Sequence, residues 1–198
     1  MDMQGVRQLA ITQQQAWDAL NDPAVLKVCI PGCDRVEPSG DNQYAFGTSL
    51  KIGPVSARFS GKITLSDIDP PTSYKINFEG QGGPEGFGNG DSAVTLTPND
   101  DGCQLAYTVH GSVGGKIAQL DQRLMDGAAK SMAEGFFKRF DDEMQRQYPD
   151  AYKAKMVMGE VITQPGAVGD ADDASNGKWV IGAALAFGLV FALWLYLK

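Results

Sequence analysis

A period-two alternation of apolar and polar residues through the middle of the chain constrains the fold more than any other feature. The apolar sets are Tyr44, Phe46, Leu50 and Ile52; Val55, Ala57, Phe59, Ile63 and Leu65; Tyr74, Ile76 and Phe78; Val94 and Leu96; and Leu105, Tyr107, Val109 and Val113. This period is typical of strands with one buried and one solvated face. Turn residues such as Gly40-Asp41-Asn42 and Asn99-Asp100-Asp101-Gly102 separate the segments, so the pattern predicts an antiparallel sheet.

Helical patterns flank the predicted sheet. Thr12 can cap a short helix, Gln13–Leu20, and Pro23 can open a second one, Ala24–Cys29. After the sheet, Lys116 to Gln147 predicts one long helix, because apolar residues recur at spacings of three and four. Its apolar stripe comprises Ile117, Leu120, Leu124, Ala128, Met132, Phe136, Phe140 and Met144, and Met125 and Ala129 widen it.

One long helix is available to cover the apolar face of this sheet. With a first strand at Met3–Ile11, the order is strand, two short helices, six antiparallel strands and the long helix. This order predicts an α+β domain in which a curved antiparallel sheet wraps around the helix. The space between sheet and helix is either an ordinary packed core or an apolar tunnel. The candidate tunnel lining is aromatic and flexible, which suits an apolar ligand, and consists of Tyr44, Phe46, Phe59, Phe78, Tyr107, Met125, Met132, Phe136 and Phe140.

The C-terminal stretch Trp179–Leu197 carries no charge and lies between two lysines. As a helix it would span roughly 28 Å, which matches the hydrocarbon core of a bilayer. We therefore expect three regions: a domain at 1–148, a flexible acidic linker at 149–177, and a single transmembrane anchor at 178–198. Met1–Ala10 does not resemble a signal peptide, so we expect the domain to stay in the cytoplasm at the membrane. Small residues within the span would permit a homodimer, but such spacing commonly arises by chance and does not by itself support one.

Composition excludes several classes of function. The net charge of -7 opposes nucleic-acid binding, which needs a basic face. The chain has a single histidine, His110, on the polar side of its strand, and no serine elbow, so we expect no catalytic residue and no enzyme activity. Three cysteines with one histidine do not suggest a metal site, and we expect packed or half-exposed reduced thiols.

Two further features leave alternatives open. Glycines cluster from Gly80 to Gly90 without the spacing of a phosphate-binding motif, and we interpret them as a flexible loop at a cavity mouth. Phe87 in that loop either lines the mouth or reaches lipid or a partner. Arg7 points inward if it is in phase with Leu9, where it would need a carboxylate or the polar head of a ligand.

Several short segments resemble the CoxG family, named for the G subunit of carbon monoxide dehydrogenase, over residues 1 to about 148. They are Trp17-Asp18-Ala19-Leu20-Asn21-Asp22-Pro23, Cys29-Ile30-Pro31-Gly32-Cys33, Gly53-Pro54-Val55, Phe59-Ser60-Gly61-Lys62-Ile63, Gly82-Gly83-Pro84 and Gly114-Gly115-Lys116. The family belongs to the START-like, helix-grip (SRPBCC) superfamily, whose members commonly hold apolar ligands between sheet and helix. The resemblance therefore favours a ligand space. It also implies a partner, a molybdenum carbon monoxide dehydrogenase or related molybdenum hydroxylase.

These observations predict a membrane-tethered, non-enzymatic protein that recruits the dehydrogenase. The apolar lining and the anchor together suggest that it carries an isoprenoid quinone between bilayer and enzyme, with no intrinsic cofactor. Three alternatives are a tethering adaptor with a filled core, a cyclase- or hydrolase-like enzyme of the same superfamily, and a maturation factor for the dehydrogenase.

Overall fold

A single seven-stranded antiparallel sheet forms the body of the protein. The computed structural model describes residues 2–52 and 55–152. The strands β1 to β7 are Asp2–Leu9, Cys33–Gly40, Gln43–Ile52, Val55–Asp69, Ser73–Gln81, Phe87–Asn99 and Gly102–Gly114. Their order in the sheet is β1-β7-β6-β5-β4-β3-β2, so β1 and β2 are the two edges. The predicted curved antiparallel sheet is confirmed.

Two short helices connect β1 to β2, as the sequence predicts. Helix α1 is Gln13–Leu20 and helix α2 is Pro23–Cys29. The Thr12 hydroxyl accepts a hydrogen bond from the Gln15 backbone N–H, and the Gln15 side chain accepts from the Thr12 N–H. This reciprocal capping box satisfies two backbone donors that the helix itself leaves free.

The long C-terminal helix begins later than its apolar pattern predicts. Lys116–Gln119 is a separate 3-10 turn, and helix α3 spans Gln122–Gln147. The Asp121 carboxylate caps α3 by accepting a hydrogen bond from the Arg123 backbone N–H. An N-terminal capping aspartate marks the true start, because it satisfies a donor that a continuous helix would not leave free.

The buried face of α3 is also rotated from the predicted stripe. Residues spaced by four drift by about 40° per step, so a stripe built on that spacing turns away from the sheet. Leu124 is accordingly 40% exposed, and Ala128 and Met132 are only partly buried. The side chains that α3 buries are Met125, Ala129, Ala133, Phe136, Phe137, Phe140 and Met144.

The core lies between the helices and one face of the sheet, which we call the inner face. Strand residues that point to it include Phe46, Phe59, Phe78, Val94 and Tyr107, all buried. Helix α2 contacts both α3 and β2, and α1 lies against β6 and β7. Among residues 2–52 and 55–152, no helix is long and apolar enough to cross a bilayer. The predicted span, Trp179–Leu197, lies outside the described residues.

Candidate functional site

The residues predicted to line a tunnel meet between the inner face and α3. Seven of them are at most 5% exposed and belong to one hydrophobic cluster: Phe46, Phe59, Phe78, Tyr107, Met125, Phe136 and Phe140. Tyr44 and Met132 are partly buried and pack against that cluster. The sheet and helix thus bring together all nine, in a closed arrangement in which the side chains fill the space between them.

Aromatic rings on α3 form the centre of this cluster. The Phe136 and Phe140 rings are stacked, with centroids 5.7 Å apart, and Phe137 meets Phe136 edge-to-face at 5.3 Å. Phe137 is fully buried but was not among the predicted lining residues. Adjacent buried aromatics on a helix signal a wide apolar face, a signal that a narrow stripe of single positions misses.

Glycines on the inner face make room for three phenylalanine rings. Phe46 pairs with Gly61 across β3 and β4, and Phe78 pairs with Gly90 across β5 and β6. A Cβ on Gly61 would lie 2.8 Å from Phe46 Cε1, and one on Gly90 would lie 2.5 Å from Phe78 Cζ. A Cβ on Gly82 would overlap the Phe59 ring. Each ring therefore lies down on bare backbone, as aromatic side chains do beside glycines in sheets.

Phe87 does not line this space; of its two predicted alternatives, it takes the exposed one. It is 60% exposed and begins β6. Strand β6 pairs with β7 without a register shift from Phe87 to Val94. Side chains alternate between faces along a strand, and Val94, seven residues on, points inward, so Phe87 points to the outer face. The glycine loop is also shorter than predicted: Gly83–Glu85 is a 3-10 turn, and Gly88 and Gly90 belong to β6.

A small apolar pocket lies at the other end of the inner face, under α1 and α2. Its volume is about 20 Å³, room for about one water molecule. The helical segment contributes Leu20, Leu26 and Asn21, which caps the C-terminus of α1. The strands contribute Val36, Tyr44, Ile63, Leu65, Tyr74 and Ile76. Of these residues, the sequence predicts only Tyr44 as a lining residue, because the others are ordinary core by pattern.

Tyr74 is the unusual member of this pocket. It is 2% exposed, and its hydroxyl has no hydrogen-bond partner among the described residues. The Trp17 ring meets the Tyr74 ring edge-to-face at 5.3 Å. Burial raises the pKa of the Tyr74 phenol well above its ordinary value, so the group stays protonated and can donate. The Ser92 hydroxyl, also on the inner face, is likewise buried without a partner in the described part of the chain.

Arg7 takes the carboxylate-paired alternative. Its guanidinium donates to Asp141 on α3, with Nη2 and Oδ2 2.5 Å apart, and lies 5.5 Å from the centre of the Phe137 ring. A partly buried arginine needs a hydrogen-bond acceptor, and Asp141 of the protein supplies it. No polar group of a ligand is needed for this purpose.

The remaining polar candidates lie apart from the aromatic cluster. His110 is on the outer face, where Nδ1 lies 2.6 Å from the Asp2 carboxylate. Cys29 and Cys103 are buried and Cys33 is half-buried, all as free thiols. Burial raises the pKa of Cys29 to about 12 and that of Cys103 to about 11, so neither is a thiolate near neutral pH. In the described ranges, no three histidine, cysteine or acidic side chains converge as a metal site would require.

Comparison with known proteins assigns the fold. The chain is similar to a conserved protein from Geobacillus kaustophilus, with 37% identity and a TM-score of 0.69, over 74% of this chain and 96% of that one. Protein Ms6760 from Mycobacterium smegmatis is similar at 16% identity and a TM-score of 0.56, over 74% of this chain and 92% of that one. An AHSA1 protein from Silicibacter pomeroyi is similar at 13% identity and a TM-score of 0.55, over 75% of this chain and 100% of that one. The last two likenesses establish the fold alone.

The sheet gripping one long helix, with an aromatic cluster between them, defines a START-like, helix-grip (SRPBCC) domain. The profile of the CoxG family, the G subunit of carbon monoxide dehydrogenase, matches residues 5–145. The chain therefore belongs to the CoxG family, which links it to carbon monoxide dehydrogenase. Among curated proteins, none matches this chain.

Proposed function

We propose that this protein is a membrane-tethered accessory protein that binds an apolar ligand and serves a molybdenum carbon monoxide dehydrogenase or related molybdenum hydroxylase. The ligand we propose is an isoprenoid quinone, carried between the bilayer and the enzyme for electron transfer to the respiratory chain. Membership of the CoxG family supports the link to the dehydrogenase. The protein itself supplies no catalytic group in this proposal.

The observation that carries the ligand proposal is the layer of phenylalanine rings lying on glycines. Phe46, Phe59 and Phe78 occupy space over Gly61, Gly82 and Gly90 that a larger residue would fill. In this proposal, rotation of these rings toward α3 or away from it changes the volume of the space between the inner face and α3. Such rotation breaks no hydrogen bond of the sheet. In this proposal, an aromatic cluster of this kind exchanges some of its own ring contacts for contacts with an apolar ligand.

The tether supports delivery to the membrane. Trp179–Leu197 has the length and composition of a bilayer span, and about 28 residues separate it from the domain. A ligand exchanged with lipid by a tethered domain needs no free diffusion through water. In this proposal the domain lies on the cytoplasmic side, where it raises the local concentration of the dehydrogenase at the bilayer.

Organic extraction followed by mass spectrometry tests the ligand. The protein without Trp179–Lys198 is purified from a quinone-producing host, so that detergent and co-purified lipid do not confuse the result. The Geobacillus kaustophilus protein aligns over 96% of its own length, which supports the view that the domain folds without the tail. A stoichiometric quinone is the expected result. A different lipid in stoichiometric amount would mean that this lipid, and not a quinone, is the ligand. If the protein also fails to bind added quinone, the proposal that it carries quinone is wrong.

Recruitment without a ligand is the second candidate. The packed state of the aromatic cluster favours it, since nine predicted lining residues already satisfy one another in a closed core. Co-sedimentation of the dehydrogenase with membranes that hold the full chain would measure recruitment. A cell that lacks the protein would then contain a fully loaded dehydrogenase in the soluble fraction, whereas loss of a maturation factor would leave the enzyme without its metal centre or flavin.

A further inference from the structure

We propose that the pocket under α1 and α2 receives the polar end of the ligand, and that the Tyr74 hydroxyl donates a hydrogen bond to a carbonyl oxygen there. This inference rests on the proposed function, since it places the head of the proposed quinone. It assigns the head to the end of the inner face under α1 and α2. The head does not lie at the other end, where phenylalanine rings pack over glycines.

The composition of the pocket indicates what it can recognise. Its walls are almost entirely aliphatic and aromatic, as binding sites for flat apolar molecules are. Asn21, the polar side chain of the helical wall, donates to the Trp17 carbonyl at 2.8 Å. The strands contribute two hydroxyls, from Tyr44 and Tyr74. Of the two, Tyr74 is the fully buried one, and its hydroxyl has no hydrogen-bond partner within the described residues.

A buried hydroxyl without a partner is unfavourable, because it gives up its hydrogen bond to water and gains nothing in return. Burial keeps the phenol protonated, so it seeks an acceptor. A quinone carbonyl is a neutral acceptor on a flat apolar ring, which matches both the hydroxyl and the walls. The pocket now holds about 20 Å³, so entry of the ring requires α1 and α2 to move away from β4 and β5.

Trp17 reports on this site directly, because its ring meets Tyr74 at 5.3 Å. The full chain in maltoside micelles, with Trp179→Phe and Trp194→Phe, leaves Trp17 as the sole tryptophan. The probe is 2-methyl-3-prenyl-1,4-naphthoquinone, a quencher of indole fluorescence. The comparison probe is 2-methyl-3-prenylnaphthalene, which keeps the shape and lacks both carbonyls; its affinity is measured by displacement of the quinone.

Tyr74→Phe removes one oxygen and keeps the ring. We expect saturable quenching of Trp17, with Kd raised about five- to tenfold by Tyr74→Phe, as the loss of one hydrogen bond predicts. The affinity for the naphthalene should not change. Ser92→Ala is the matched control, because it also removes a buried unpaired hydroxyl but lies outside the pocket lining; its quinone affinity should equal that of the parent.

Stability without ligand separates recognition from folding. Both Tyr74→Phe and Ser92→Ala should melt at the same temperature as the parent or higher, since each removes an unpaired hydroxyl. A Tyr74→Phe variant that melts at a lower temperature would mean that its hydroxyl bonds an internal water, which would overturn the inference.

The outcomes distinguish this inference from the function on which it rests. If the parent binds the quinone and Tyr74→Phe binds it equally well, the head lies elsewhere and only the inference fails. Binding seen by equilibrium dialysis without quenching of Trp17 leads to the same conclusion. If the parent does not bind the quinone by either method, the carrier function and the inference both fail.

Discussion

Arg7 and Asp141 join the first strand to the last helix across 134 residues of sequence. Their side chains are 30% and 28% exposed, and Nη2 lies 2.5 Å from Oδ2. The Arg7 guanidinium also lies over the Phe137 ring. Because β1 is an edge of the sheet, this ion pair fixes the edge strand against the C-terminal half of α3 and closes one side of the core.

Removal of this pair should loosen β1. We expect Arg7→Ala to lower the free energy of unfolding by about 1 kcal/mol, the usual size of a partly exposed ion pair with an aromatic contact. Arg7→Lys keeps the charge but loses the planar stacking, so it should recover only part of that loss. Urea unfolding measures the free energy of unfolding of both variants. A double-mutant cycle that combines Arg7→Ala with Asp141→Ala isolates the interaction energy of the pair. Additive effects of the two alanine substitutions would contradict a direct interaction.

Gly82 should tolerate no side chain while Phe59 remains in place. Its φ of -114° suits any residue, so the conflict is the overlap of a new Cβ with the Phe59 ring. We expect Gly82→Ala to destabilise the protein by about 1–3 kcal/mol, as overpacking of a core does. Adding Phe59→Leu should relieve part of this loss. Equal unfolding curves for Gly82→Ala and the parent would contradict the close packing.

The strand pattern and the capping residues predict most of the fold because their signals are local. Period-two alternation located β3, β4, β5 and β7, and Thr12 with Pro23 located α1 and α2. Strand β2, with Pro38 and several exposed residues, carries no such alternation, so the pattern does not locate it. Its position follows from pairing with β3, which a local pattern does not contain.

The candidate site is less predictable because its geometry depends on contacts between distant elements. The sequence identified the aromatic residues of the cluster, but not the phase that buries Phe137 and exposes Leu124. The outward position of Phe87 depends on the full length of β6. The glycines at the start of this strand are typical of a loop, so the sequence pattern does not reveal it. The unpaired state of the Tyr74 hydroxyl is visible only once every neighbour has been placed.

Gly127 should be a position at which alanine stabilises the protein. It lies within α3, and nothing is within 4 Å of where its Cβ would be. Glycine in a helix interior is less favourable than alanine by about 0.5–1 kcal/mol, chiefly because it has more freedom in the unfolded chain. Thermal unfolding of Gly127→Ala should show a gain of about that size. Gly83→Ala is a useful contrast, since its space is also open but its φ of +61° strains an alanine and should make that change unfavourable.

The outer-face contact between His110 and Asp2 should give the protein a pH-dependent interaction at its first strand. The two residues are register partners on β7 and β1. The hydrogen bond to Asp2 raises the pKa of His110, helped by the charges of Asp2 and Asp91, and the hydrogen bond to His110 lowers the pKa of Asp2. Because His110 is the single histidine of the chain, one imidazole resonance in an NMR titration reports the effect.

The sign of each shift fixes the pH window of this contact. The contribution of His110 to stability is fully present below its unfolded pKa of about 6.5 and is lost as the pH rises through its raised folded pKa. The contribution of Asp2 is present above its unfolded pKa of about 3.9 and is lost as the pH falls through its lowered folded pKa. The contact should therefore be strongest between these two unfolded values. Asp2→Asn should move the His110 midpoint down toward about 6.5, and an unchanged midpoint would show that the carboxylate does not hold the proton on the imidazole.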